Sequence, residues 1–196
     1  MFTGIIEEMG RVSAVRQKAG CTRLTVEAGL VSLDTRIGDS ISLDGVCLTV
    51  VEAGRQRLAF DIMPSTLAQT TLKTLRVGSR VNMERAMKAD SRFGGHMVSG
   101  HVDGVGVIRS KKIFKGQWLV SISVKPFLLK NIFLKGSVAV DGVSLTVSEK
   151  KSGCFSVGLI PHTAAVTTLG RKASGSLVNV ETDMMRKFAY AGSKEG

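Results

Sequence analysis

One stretch of this chain is written twice. Asp44-Gly45-Val46-Cys47-Leu48-Thr49-Val50 returns 97 residues later as Asp141-Gly142-Val143-Ser144-Leu145-Thr146-Val147. Three further blocks recur in the same order at nearly the same offset. Met1-Phe2-Thr3-Gly4 matches Met97-Val98-Ser99-Gly100. Pro64-Ser65-Thr66 and Thr70-Thr71-Leu72 match Pro161-His162-Thr163 and Thr167-Thr168-Leu169, and Gly78-Ser79-Arg80-Val81-Asn82 matches Gly175-Ser176-Leu177-Val178-Asn179. A period this long exceeds a solenoid unit and suits a whole small domain. The expected organisation is therefore a duplicate: one unit over residues 1–93, its copy over 94–183, and a short C-terminal helix and tail over 184–196. Units of about 90 residues bury only modest cores, so the two gain by packing on each other or on another subunit.

Strand patterns dominate each copy. Leu24, Val26 and Ala28 alternate with polar neighbours, as do Leu58, Phe60 and Ile62, and Trp118, Val120, Ile122 and Val124. Both Asp-Gly pairs interrupt runs of β-branched residues, the strongest short hairpin signal, because a type I′ turn needs positive φ at both central positions. Short strands with turns between them predict a small barrel or sandwich per copy. Proline at the start and Gly136 just past the end predict a helix over 126–135, with a counterpart over 30–37. Pro64 and Pro161 each open a helical turn, and a short helix is expected over 184–190.

Composition narrows the function. The net charge of +11 raises nucleic acid as a partner, but the cations are scattered and aromatics make up only 5% of residues, too few for a stacking platform. A basic balance suits an anionic small ligand equally. Cys21, Cys47 and Cys154 are odd in number and lack metal-ligand spacing, which argues against a disulfide scaffold or zinc site and fits a reducing cytosol. The acidic start and lack of a long apolar run predict a cytoplasmic protein with no membrane span. No GxGxxG or GxxxxGK[ST] pattern and no metal-ligand cluster is present, so no cofactor is expected.

Function is then to be sought where the copies differ. Cys47 stands opposite Ser144, Ile5 opposite His101, Phe2 opposite Val98, and Ala86 opposite Asp183. One copy thus carries a thiol; the other carries a hydroxyl, an imidazole and a carboxylate. Each has a plain structural role available: Cys47 as a small hydrophobe, His101 and Ser144 as strand residues, Asp183 as a helix cap, and Lys135 as a cation at a helix end. Together they supply a nucleophile, a base near neutral pH and hydrogen-bonding groups.

The start Met-Phe-Thr-Gly-Ile-Ile-Glu, the paired Gly-Val-Cys-Leu-Thr-Val and Gly-Val-Ser-Leu-Thr-Val, the run Gly94-Gly95-His96-Met97-Val98-Ser99-Gly100-His101-Val102-Asp103-Gly104, and Ile160-Pro161-His162-Thr163 resemble the riboflavin synthase family of the trimeric alpha-chain type, over residues 1–186. The resemblance implies an all-β fold of two six-stranded Greek-key barrels and a C-terminal helix. It also implies cofactor-free dismutation of two 6,7-dimethyl-8-ribityllumazine molecules: one gives a four-carbon unit to the other, yielding riboflavin and 5-amino-6-ribitylamino-uracil. A homotrimer with active sites between subunits and association with lumazine synthase are implied too.

Carried over by position, the ligand contacts of the first barrel are Gly4, Ile5, Ile6, Cys47, Leu48, Thr49, Asp61, Ile62, Met63, Pro64, Ser65 and Thr66. Those of the second are Gly100, His101, Val102, Ser144, Leu145, Thr146, Gly158, Leu159, Ile160, Pro161, His162 and Thr163, with Lys135 reaching across a subunit boundary. Cys47, His101, Ser144 and Asp183 are the chemical candidates, and Phe2 and Thr3 shape the site. Ser65 departs from the glutamate common in the family, and Ala164 from a leucine-like residue. Two rivals remain to be distinguished: a non-catalytic lumazine- or flavin-binding protein of the same fold, and a basic barrel for nucleic acid.

Overall fold

The computed structural model describes residues 1–185 and Lys187. Strands β1 (Glu8–Lys18), β2 (Cys21–Glu27), β3 (Ser40–Leu43), β4 (Val46–Gly54), β5 (Arg57–Ile62) and β6 (Arg80–Arg85) close an antiparallel barrel in the ring order β1-β2-β5-β4-β3-β6. Strands β7 (Gly104–Phe114), β8 (Gln117–Ser123), β9 (Ser137–Val140), β10 (Val143–Lys151), β11 (Cys154–Leu159) and β12 (Leu177–Thr182) repeat the same ring, β7-β8-β11-β10-β9-β12. Among the described residues no helix is long and apolar enough to cross a membrane.

Local chemistry builds both rings alike. The Asp-Gly pairs form two-residue turns, with Leu43 opposite Val46 and Val140 opposite Val143. Asp44 and Gly45 have φ of 45° and 82°, Asp141 and Gly142 47° and 78°, as a type I′ turn requires. β1 and β4 each slip register once, and so do β7 and β10, bending long strands so that the sheet can close. Alternate side chains then point inward. Leu24, Val26, Leu58, Phe60 and Ile62 fill the first barrel; Val120, Ile122, Phe155, Val157 and Leu159 fill the second.

The helical expectations were too long. Helix α1 (Pro64–Gln69) and helix α3 (Pro161–Val166) open on their prolines, but helix α2 (Pro126–Lys130) is a single turn that stops well before residue 136. Lys135 therefore stands five residues past the helix, in the left-handed region, with its N–H donating to Val147 O at 2.8 Å. Residues 30–37 form no helix. Glu8 takes the N–H groups of Gly29 and Val31, and Ser32 and Thr35 turn their hydroxyls onto Ala28 O and Val31 O, so side chains outcompete helical pairing. Of the expected terminal helix, Met184, Met185 and Lys187 are helical; the remainder of 184–196 lies outside the described residues.

The barrels meet through equivalent residues, as in an isologous dimer. Phe2 and Val98 form a two-way backbone bridge of 2.8 and 3.1 Å. A Cβ on Gly45 would lie 2.7 Å from Gly142 N, and one on Gly142 2.8 Å from Gly45 N, so only glycine lets the turns touch. Buried Asn82 donates to Asp141 O and accepts from Thr168 N; buried Asn179 donates to Asp44 O and accepts from Thr71 N, all at 2.7–2.8 Å.

One departure from symmetry in this contact is a partly buried cation. Lys172, opposite Leu75 in the first copy, places Nζ 2.5 Å from Asp141 Oδ2. Asp44 has no such cation of its own, and burial together with the charge of Asp141 pushes its carboxyl up to about 7. The folded state thus holds this proton more tightly than an unfolded chain, whose aspartates titrate near about 3.9. The stability it contributes is full below that value and is lost as pH rises through about 7. Unfolding curves for wild type and Asp44→Asn should diverge in favour of the variant across that window; parallel curves would show that Asp44 does not titrate there.

Candidate active site

Residues 4–6 and 100–102 each cross to the other barrel. Ser144 N donates to Gly4 O at 2.8 Å, and Cys47 N donates to Gly100 O at 2.9 Å. Ile6 packs against the core of the second barrel, Val102 against that of the first. The approach is close: a Cβ on Gly4 would lie 2.6 Å from Ser144 Cβ, and one on Gly100 2.5 Å from Cys47 Cβ. Buried carboxylates clamp the crossing segments. Glu84 accepts from Thr3 N, Thr3 Oγ1 and Gly4 N at 2.7–3.0 Å; Glu181 accepts from Ser99 N, Ser99 Oγ and Gly100 N over the same range.

The grouping expected from sequence is corrected by this crossing. His101 accompanies Cys47 on the first barrel, with Thr49 and the segment from Asp61 through Thr66. Ile5 and Ile6 accompany Ser144 on the second, with Thr146 and the segment from Gly158 through Thr163. The segment that carries His101 is thus tied to the barrel of Cys47, and the segment that carries Ile5 to the barrel of Ser144. Leu48 and Leu145 point inward and are buried, whereas Thr49 and Thr146 are exposed on the outer wall. Met63, Ile160 and Ile5 stand 58%, 57% and 50% exposed, so both half-sites are open apolar shelves.

Other candidates have partners of their own. Asp61 forms a two-pronged ion pair with Arg23 at 2.6 and 2.7 Å, which holds its carboxyl below the usual range. Asp183 accepts from Met185 N at 3.0 Å as a helix cap. Lys135 is exposed. A cleft of about 640 Å³ opens beside Ile5, Ser40 and Ala86, but neither Cys47 nor Ser144 lines it.

Comparison of the copies missed His96. Its Nδ1 lies 2.7 Å from Ser144 Oγ, and its N–H donates to Thr3 O at 3.1 Å. The residue is only 8% exposed, and its Nε2 is buried without a hydrogen-bond partner. Burial lowers its pKa, opposed by the charge of Asp183. His96 stands directly before the block Met97–Gly100 that matches Met1–Gly4, outside the matched stretches. The available signal was Gly95, where a Cβ would collide with Thr3 O and lie 2.9 Å from Ser144 Cβ.

Two matched barrels, each offering an open shelf beside a Gly-Val-x-Leu-Thr strand, define a tandem lumazine-binding-domain protein: the sequence model of the lumazine binding domain matches residues 3–86 and 99–183. The riboflavin synthase of Bacillus amyloliquefaciens is 44% identical over 190 residues, covering 97% of this chain and 88% of that protein. That of Bacillus subtilis (strain 168) is 42% identical over the same shares. The chain belongs to the riboflavin synthase family. Among solved structures, LumP complexed with riboflavin is similar at a TM-score of 0.86 and 26% identity, covering 93% of this chain and 99% of that one.

Proposed function

We propose that this chain is a riboflavin synthase, converting two 6,7-dimethyl-8-ribityllumazine molecules into riboflavin and 5-amino-6-ribitylamino-uracil. The observation that carries the reading is chemical inequality on a duplicated frame. One barrel offers Cys47 beside the His101 segment, the other Ser144 beside His96. Two identical substrates must play unlike parts in a dismutation, and two related but unlike shelves supply that. Holding both rings in attack geometry provides much of the acceleration. On the first shelf His101 serves as acid and base, and Cys47 supplies or seats the nucleophile. On the second, Ser144 hydrogen-bonds the ring while Asp183 supports the adjoining helix turn and bears electrostatically on His96.

A cytoplasmic homotrimer completes the reading, since a second copy laid over the exposed Met63 and Ile160 would bring two shelves together and exclude water. Association with lumazine synthase belongs to the same family reading.

The likeness to LumP raises a binding protein without turnover as the alternative. Incubation with the lumazine alone, followed by riboflavin absorbance, separates the two. His101→Gln is expected to lower kcat by about 10²-fold or more, within the range of acid–base catalysis. Wild-type turnover in both His101→Gln and Cys47→Ser would overturn the assigned roles.

A further inference from the structure

His96 and Ser144 form a pair on the second barrel's shelf, with no equivalent beside Cys47 among the described residues. The ring is buried, which favours its uncharged form, and in that form one nitrogen carries a proton and the other a bare lone pair. Nε2 has no partner. A buried N–H left unpaired is rarer in proteins than an under-used acceptor, because it forfeits its hydrogen bond to water without replacing it. The proton therefore belongs on Nδ1, which donates to Ser144 Oγ across 2.7 Å. A hydroxyl that accepts from an imidazole keeps its own proton free for a third group. The backbone around it is fixed, since Ser144 N is tied to Gly4 O and His96 N to Thr3 O.

We propose that His96 is a positioning residue that turns the Ser144 hydroxyl outward as a hydrogen-bond donor, and that the second barrel's shelf therefore holds the lumazine that ionises at its C7 methyl. This rests on the lumazine reading above. Ionisation breaks one methyl C–H bond, hands the proton to solvent, and leaves the electron pair delocalised into the ring and its carbonyl oxygens. A donor aimed at that ring stabilises the anion more than the neutral form. Cys47, at the equivalent place on the first shelf, has only a weak S–H to donate. The charged group bearing on His96 is Asp183, which opposes the lowering of its pKa by burial.

The test is a pH titration of protein-bound lumazine, followed by its anion absorbance, alongside turnover. In wild type one of the two bound lumazines should ionise at lower pH than the free compound. His96→Leu should raise that value by about one unit, a tenfold change in the ionisation constant, and lower kcat about tenfold with KM little altered. His96→Asn, whose amide can donate in place of Nδ1, should recover most of both. Combining His96→Leu with Ser144→Ala should add nothing to Ser144→Ala alone. An unchanged titration in His96→Leu, or additive losses in the double variant, would sink the proposal. Failure of wild type to form riboflavin would instead refute the lumazine-dismutation reading, because the titration reads binding and ionisation and does not depend on turnover.

Discussion

Asn82→Ala is expected to destabilise the folded chain by about 4 kcal/mol, read as a shift in the urea midpoint at unchanged slope. The side chain is 1% exposed and meets only the opposite barrel, donating to Asp141 O and accepting from Thr168 N. Removing it strands one carbonyl and one N–H in the dry contact between barrels, each costing about 1–3 kcal/mol. Its own backbone bonds to Asp44 survive, so the loss falls on docking rather than on strand pairing. Asn179→Ala should cost as much, because Asp44 O and Thr71 N lose the same two partners. Against a total stability of about 5–15 kcal/mol, the double variant should fail to fold as one unit. A cost below about 1 kcal/mol for either single variant would mean that water replaces the asparagine, and that the barrels are held mainly by the Gly45–Gly142 and Phe2–Val98 contacts.

The repeat and the barrels were legible because their signals are local. Asp-Gly between β-branched residues selects a type I′ turn whatever surrounds it, and alternation at Leu58, Phe60 and Ile62 states which face is buried. Helix length was not legible: proline and glycine at 126 and 136 mark permissible ends, whereas the pull of Lys135 N toward Val147 O fixes the actual one. The crossing of residues 4–6 and 100–102 was hidden for a different reason. It depends on Glu84 and Glu181 capturing N–H groups about 80 residues away, and a carboxylate's partner is not written beside it in the chain. Comparison of copies also assumes that each half owns its own segments. That assumption placed His101 with Ser144, and it could not see His96, which lies just outside the matched blocks.

Crossing makes a second prediction in which the wrong barrel suffers. Glu84 lies on β6 of the first barrel, yet it holds Thr3 and Gly4 against Ser144 of the second. Glu181 on β12 holds Ser99 and Gly100 against Cys47 of the first. Burial pushes both carboxyls above their ordinary range, opposed by the donors that each accepts. Bonds to a charged acceptor contribute about 1.5–3 kcal/mol each, so alanine at either position should release the clamped segment. Turnover should fall at least about a hundredfold in both variants, as expected when reacting groups lose their placement. The distinguishing readout is Cys47, half-buried beneath Gly100. Its alkylation, mapped by peptide mass against Cys21 and Cys154 as internal references, should accelerate in Glu181→Ala and stay at the wild-type rate in Glu84→Ala. Lumazine binding should fall in the complementary pattern, with Glu84→Ala losing the site beside Ser144 and Glu181→Ala the site beside Cys47. Faster Cys47 alkylation in Glu84→Ala with none in Glu181→Ala would reverse the crossing, and each barrel would then have to own the segment that precedes it in sequence.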